Sequence, residues 1–201
     1  CHEPQEEVVF DTIIRHLPSG STMIELGAYW GFYSMWFAKD IRDARVFLVE
    51  PEESHLEIGR KNFQINGLIG EFTHAYIGAE DGKDSSGVAI RCVDSLASEK
   101  SLTHISLLHC DIQGFELDML KGSSIMLKQR RVDFLFVSTH SMDLHYACAD
   151  FLKMIGYIIV VSIDLEESYS CDGILVAHAP DIPIPAIVHP SRRSPLSVAR
   201  P

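Results

Sequence analysis

The chain has 201 residues, of which 46% are hydrophobic and 22% charged; these are ordinary globular values, which exclude wholesale disorder. The length suits one domain with a sizeable core. A formal net charge of −11 argues against a broad phosphate-binding surface, because nucleic-acid binding rests on clustered Lys and Arg, and here Arg130-Arg131 and Arg192-Arg193 are isolated pairs.

Residues 6–17 place Val8, Val9, Ile13, Ile14 and Leu17 at helical spacing, and Pro18-Ser19-Gly20 ends that helix. The stretch 22–38, TMIELGAYWGFYSMWFA, reads as strand, glycine-rich turn and helix. Glycine tolerates positive φ and lets backbone pass close to a ligand, while the free N–H groups of a following helix favour an anionic group. Within this stretch Phe32, Trp36 and Phe37 recur at core spacing, and Tyr29 and Trp30 sit in the turn itself, placed to meet a cofactor or acceptor. A short apolar run, 46–49, is a second buried strand ending at Glu50. Pro51 suits the first turn of the next helix, 52–66, which stops at Asn66-Gly67. Residues 72–77 are a third strand, and 78–87, GAEDGKDSSG, a loop.

A short strand at 88–92 and a brief helix at 94–99 follow. The apolar run 105–110 closes at Asp111, then Asp111-Ile112-Gln113-Gly114 leads into a helix over 115–129. Residues 132–137 form a strand with Ser138-Thr139-His140-Ser141 at its edge. A helix over 143–155 stops at Gly156, and His145 upon it reads as a surface or interface residue. Late strands at 157–163 and 174–178 flank an acidic stretch, 164–172. Residues 180–201 hold six prolines and read as an irregular tail beyond a single domain spanning 1–179.

Strands alternating with helices predict an open, mostly parallel sheet covered on both faces. Ligands in such sheets sit beyond the carboxyl ends of the strands. Glu25 with its turn, Glu50, the Gly78 loop, Asp111 and Thr139-His140 all follow apolar runs and should share one rim. Glu50 stands where a carboxylate can take both hydroxyls of an unphosphorylated ribose. The turn E-L-G-A-Y-W-G lacks the GxGxxG spacing of a dinucleotide site, so a smaller adenosine ligand fits better than NAD. Five cysteines without a CxxC pair form neither a disulfide framework nor a zinc site; Cys110 and Cys171 read as small buried residues. With no leader and no apolar run long enough to span a bilayer, the expected compartment is the cytoplasm.

The motifs MIELGAYWGFYS, FLVEPEESHLEIGRKNFQING and above all LLHCDIQGFELDMLKGS, with VDFLFVSTHS after them, resemble the FkbM family of S-adenosylmethionine-dependent methyltransferases, and the resemblance runs from about residue 6 to 178. It implies the Rossmann-like class I methyltransferase fold: an α/β seven-stranded, mostly parallel sheet with an antiparallel last strand. It implies S-adenosyl-L-methionine as cofactor and S-adenosyl-L-homocysteine as product. The cofactor contacts implied are Glu25, Gly27, Ala28, Tyr29, Gly31, Ser34, Glu50, Pro51, Gly78, Ala79 and Asp111. Where the family often has Lys and Glu, this chain has His109 and Gln113, and Thr139 lies where Glu is common, so the charge at the acceptor site should differ.

Methyl transfer to a hydroxyl gains from a base near neutrality, and histidine suits that. His140 is the first candidate, His109 the second, with Asp111 orienting the acceptor or joining His140 at a divalent cation; two ligands do not establish a metal site. The expected activity is O-methylation of a small hydroxylated molecule, a sugar or secondary metabolite. The rivals are methylation of a nitrogen, carboxylate or protein side chain, and a SAM-binding partner subunit without turnover. Oligomeric state is open, a homodimer included.

Overall fold

The computed structural model describes residues 3–194. The chain runs α1 (Pro4–Ile14), β1 (Thr22–Leu26), α2 (Phe32–Asp40), β2 (Arg45–Glu50), α3 (Glu53–Ile65), β3 (Glu71–His74), β4 (Tyr76–Ile77), β5 (Gly82–Lys83), β6 (Ala89–Arg91), α4 (Val93–Glu99), β7 (Ile105–Cys110), α5 (Glu116–Gly122), α6 (Ser124–Lys128), β8 (Val132–Thr139), α7 (Met142–Met154), β9 (Ile158–Ile163) and β10 (Gly173–His178). Seven strands form one sheet in the order β3-β2-β1-β7-β8-β10-β9. All neighbours are parallel except β10, which runs antiparallel between β8 and β9. The order reverses between β1 and β7, and there the sheet opens the crevice in which such folds bind ligands.

The inner strands β1 and β7 are buried at every position, as expected of strands covered on both faces. One apolar layer joins Ile24, Phe47, Leu108 and Leu135 to α4–α7. The other joins Phe10, Met23, Leu48 and Phe136 to α1 and α2. Phe37 is fully buried there, with Phe32 and Trp36 packed partly against it.

Several local readings change. The third strand is broken: β3 pairs with β2, then Ala75 leads into β4, which leaves the main sheet and pairs with β6. The loop expected at 78–87 contains β5, antiparallel to β6. Pro51 precedes α3 by two residues, with Glu52 as the cap accepting from Ser54 N. The helix expected over 115–129 is two helices, because the Ser123 hydroxyl donates back to Met119 O at 2.6 Å while Asp94 accepts from Ile125 N (2.8 Å) and Met126 N (2.9 Å) and starts α6 anew. Cys171 is exposed, unlike Cys110. His145 is buried, with Nδ1 2.9 Å from Thr139 Oγ1 and Nε2 3.0 Å from Ser162 Oγ; it ties α7 to β8 and β9.

Residues 180–194 contain no helix or strand but are fastened to the body. Arg192 pairs with Glu167 (2.6 Å to Oε1) and donates to Ser162 O, and Gln5 of α1 donates to Ser191 O at 2.7 Å. The rest of the proline-rich segment, 195–201, lies outside the described residues, as does Cys1. Among the described residues no helix is long and apolar enough to cross a membrane.

Candidate active site

The rim is built where β1, β2, β7 and β8 end. Gly27 follows β1 with φ +73°, and a Cβ there would overlap the Asp111 carbonyl oxygen and stand 2.7 Å from its carbon. Asp111 N in turn donates to Leu26 O at 2.9 Å. The first glycine of the turn therefore lets the tips of β1 and β7 close on each other. Gly31 caps α2 at φ +80°, and a Cβ on it would strike Leu48 and Phe63. The missing side chain there makes room for packing under the turn, and Gly31 is not among the residues that line the rim cavities. Ser34 is likewise buried beneath the site: its N–H donates to Glu25 Oε2 at 3.0 Å.

A cavity of about 490 Å³ opens beyond these tips, lined by Gly27, Tyr29, Glu50, Pro51, His55, Ile77, Asp111 and Phe115 among others. Glu50 organises its near wall. Tyr29 N donates to one carboxylate oxygen at 2.9 Å, and Glu52 N to the other at 3.0 Å. A carboxylate offers about four lone-pair sites, so Glu50 keeps acceptor capacity toward the cavity. The first of these bonds holds Tyr29 at φ +46°, and its ring meets His55 edge-on at 4.3 Å between centroids. The opposite wall is apolar, from Ile77, Ile112 and Phe115. Gly78 and Ala79 do not line this cavity; they line a neighbouring one of about 380 Å³, which shares Tyr76, Ile77 and Phe115 with it.

On the other side of Gly27 and Asp111 lies a cavity of about 290 Å³, lined by Glu3, Glu7, Glu25, Ala28, Trp30, Tyr33 and His109 among others. Burial raises the Glu25 pKa, with His109 opposing it. His109 is itself buried, with Nε2 2.7 Å from Glu6 Oε1 and its ring against Tyr33 at 4.2 Å. Burial acts to lower its pKa, but the Glu6 charge overrides that and lifts it to about 9. Glu6 also accepts from Ser138 Oγ at 3.0 Å. His109 is thus an anchor for α1, with β7 pointing it into the protein.

His140 does reach Asp111. Its Nδ1 lies 2.7 Å from Glu116 Oε1, and its Nε2 sits between Asp111 Oδ1 (3.2 Å) and Asp172 Oδ1 (3.3 Å). Burial acts to lower its pKa, yet the carboxylates together lift it to about 10. His140 is therefore an imidazolium at neutral pH, the form that cannot accept a proton, which removes the reason for which it was put first as a base. Burial acts to raise the pKa of Asp111, but the His140 hydrogen bond and charge outweigh it and hold Asp111 below its usual range. Gln113 Nε2 adds a donor to Asp111 Oδ1 at 3.3 Å, from a backbone at φ +57°. A third, open cavity of about 530 Å³ lies on the α7 side, lined by Gln113, His140, Ser141 and Asp143 among others.

Glu116 and Asp172 were not singled out in the sequence. Glu116 lay inside the D-I-Q-G-F-E-L-D block and was legible as part of it. Asp172, on the β9–β10 loop, carried no local signal. Among the described residues no group of three or more His, Cys, Asp or Glu is arranged to hold a metal.

Residues 80–167 match the family model described as methyltransferase FkbM domain. A provisionally named methyltransferase of Jannaschia sp. (strain CCS1) is 23% identical over 223 residues, covering 86% of this chain and 77% of that protein. The crystal structure of methyltransferase FkbM from Methylobacillus flagellatus KT superposes with a TM-score of 0.65 at 18% identity, covering 87% of this chain; the chain spans 49% of the length of that one. An rRNA methylase from Streptococcus thermophilus superposes with a TM-score of 0.60 at 12% identity over 87% of this chain and 95% of that one. Strand order and superposition agree on the Rossmann-like class I methyltransferase fold, and residues 80–167, which include Asp111, Glu116 and His140, are similar to the methyltransferase FkbM domain of S-adenosylmethionine-dependent methyltransferases.

Proposed function

We propose that the chain transfers a methyl group from S-adenosylmethionine to a hydroxyl of a small molecule, a sugar or a secondary metabolite. One observation carries the choice of acceptor. The four cavities along the rim are lined by carboxylates, aromatics and apolar side chains, with no Lys or Arg lining them among the described residues. A phosphate-rich acceptor such as RNA depends on basic contacts, and this rim would repel it. A neutral polyhydroxylated molecule meets no such barrier.

The residues present fit the cofactor. Glu50 would receive the ribose hydroxyls, Ile77, Ile112 and Phe115 the purine, and Glu25 with the Gly27–Tyr29 turn the amino-acid end. When bound, the cofactor supplies a methyl carbon on a cationic sulfur, and the departing thioether needs no proton. Asp111 does the remaining work. His140 and Gln113 both address its Oδ1, which leaves Oδ2 to accept from the acceptor hydroxyl and aim its oxygen. Holding reactants close and in line is worth up to about 7–11 kcal/mol in favourable systems. Asp111 would take the proton of the reacting hydroxyl once methylation makes it strongly acidic, a step that needs no raised pKa on the carboxylate. His140 positions Asp111 and keeps it ionised.

The test is calorimetry with S-adenosylhomocysteine, followed by methyl transfer to a panel of hydroxylated metabolites and to a structured RNA. S-adenosylhomocysteine formation with a hydroxylated metabolite and none with RNA supports the reading; transfer to RNA alone overturns it.

A further inference from the structure

Glu116, the first residue of α5, is fully buried and lines none of the four rim cavities. Its Oε1 accepts from Gly114 N at 3.0 Å and lies 2.7 Å from His140 Nδ1, while its Oε2 has no hydrogen-bond partner. A buried acceptor left unpaired is costly, and an apolar side chain of similar volume would avoid that cost. What the carboxylate offers in return is the position of Oε1.

Two groups address Asp111 Oδ1, Gln113 Nε2 at 3.3 Å and His140 Nε2 at 3.2 Å. They come from different elements, the loop after β7 and the tip of β8, and Glu116 Oε1 is tied to both. Through Gly114 N it pins the loop where the backbone takes positive φ at Gln113 (+57°) and Gly114 (+107°). Through Nδ1 it sets the His140 ring so that Nε2 faces Asp111 and, from the β9–β10 loop, Asp172; Asp143 of α7 lines the open cavity beside the ring. The charge at 116 also favours the doubly protonated ring. A neutral imidazole has one N–H and could donate to Glu116 or to Asp111, not to both. We propose that Glu116 is a positioning residue for methyl transfer: it holds Gln113 and His140 on Asp111 Oδ1, so that Oδ2 stays free and aimed at the acceptor hydroxyl. The proposal rests on the hydroxyl-methylation reading above and adds the residue that orients its proton acceptor.

The experiment compares Glu116→Ala and Glu116→Gln with wild type, using calorimetry with S-adenosylhomocysteine, histidine NMR, and turnover of the metabolite methylated in the panel above. Glu116→Ala should lower kcat about tenfold or more, as misplacement of a group at the reacting centre predicts, and leave S-adenosylhomocysteine affinity unchanged. Glu116→Gln, whose amide oxygen can still accept from Gly114 N and His140 Nδ1–H, should restore most of that turnover. In both variants His140 should titrate below its wild-type value of about 10, by about one pH unit or more. If Glu116→Ala does not fold, Glu116→Leu fills the same space and takes its place. A residue serving packing alone would change the melting temperature and leave kcat of the folded protein as it was. Unchanged kcat therefore overturns the proposal. So does His140 titrating as in wild type, or a parallel loss of S-adenosylhomocysteine affinity, which would give Glu116 to the cofactor. A wild-type protein that methylates no metabolite is a separate result: it overturns the hydroxyl reading, and the His140 titration then decides by itself whether Glu116 sets the ring.

Discussion

Replacing Gly27 by Ala separates two costs that glycines in this chain combine differently. At φ +73° an L side chain is strained by about 1–2 kcal/mol. At Gly27 a Cβ also overlaps the Asp111 carbonyl oxygen. That atom is backbone and cannot rotate away, so the tips of β1 and β7 must part, and overpacking of this kind adds about 1–3 kcal/mol. Gly87 has φ +90° and nothing within 4 Å of an added Cβ, so Gly87→Ala carries the strain alone. At about 2–4 °C per kcal/mol for a chain of this size, Gly27→Ala should melt about 4–20 °C lower than wild type and Gly87→Ala about 2–8 °C lower. Differential scanning calorimetry measures both. Because Asp111 moves with the β7 tip, Gly27→Ala should also bind S-adenosylhomocysteine more weakly, while Gly87→Ala should not. Equal melting temperatures for the two variants would refute the close approach as the reason for glycine at 27.

Three further outcomes follow from the rim and its support. His140 should titrate near 10 by NMR; its pKa is raised above the ordinary value of 6.5, so its stabilising contribution is complete below about 6.5 and is lost as pH rises through about 10, and His140→Asn should flatten that alkaline loss. Glu6→Ala removes a fully buried carboxylate facing His109 and Ser138; breaking such a pair costs about 3–5 kcal/mol, to be read by urea unfolding. Glu50→Gln should weaken cofactor binding about tenfold or more, because an amide presents one acceptor oxygen where the turn and the ribose need two, and calorimetry with S-adenosylhomocysteine gives the ratio.

The sheet was legible because its strands are short apolar runs ending in polar residues, a pattern set by burial on both faces. Glu50, Asp111 and His140 were therefore placed on one rim correctly from the sequence. What failed was whatever depended on side-chain direction at a fixed backbone position. Gly31 and Ser34 belong to the turn motif yet face the packed layer under it. His145 sits on a helix that reads as amphipathic, but its ring turns inward to Thr139 and Ser162. The split of the third strand at Ala75 was hidden for another reason: Tyr76 and Ile77 look apolar enough to continue it, but their partner is β6, fourteen positions on in register. His140 shows the same limit in electrostatic form. Its identity was readable, but its charge depends on Asp111 and Glu116 and then on Asp172, three carboxylates that only the folded chain gathers around one ring.

The elements that set the charge of the rim are the ones outside the parallel core. Helix α1 and the residue that caps it supply Glu6 and Glu3, and the β9–β10 loop supplies Asp172. These two elements are held to each other: Gln5 of α1 donates to Glu167 O at 3.2 Å and accepts from Tyr169 N at 2.8 Å, and the segment around Arg192 closes over both. Fixing α1 and the loop against one another fixes the distance between the Glu3 cavity and the Asp111–His140–Asp172 cluster. On the proposed function the core strands would hold the cofactor while α1 and the loop would shape the side from which an acceptor enters. On that division of labour, substitutions at Gln5 or Glu167 should alter acceptor selectivity more than cofactor affinity, since neither residue touches the cavity that Glu50 organises.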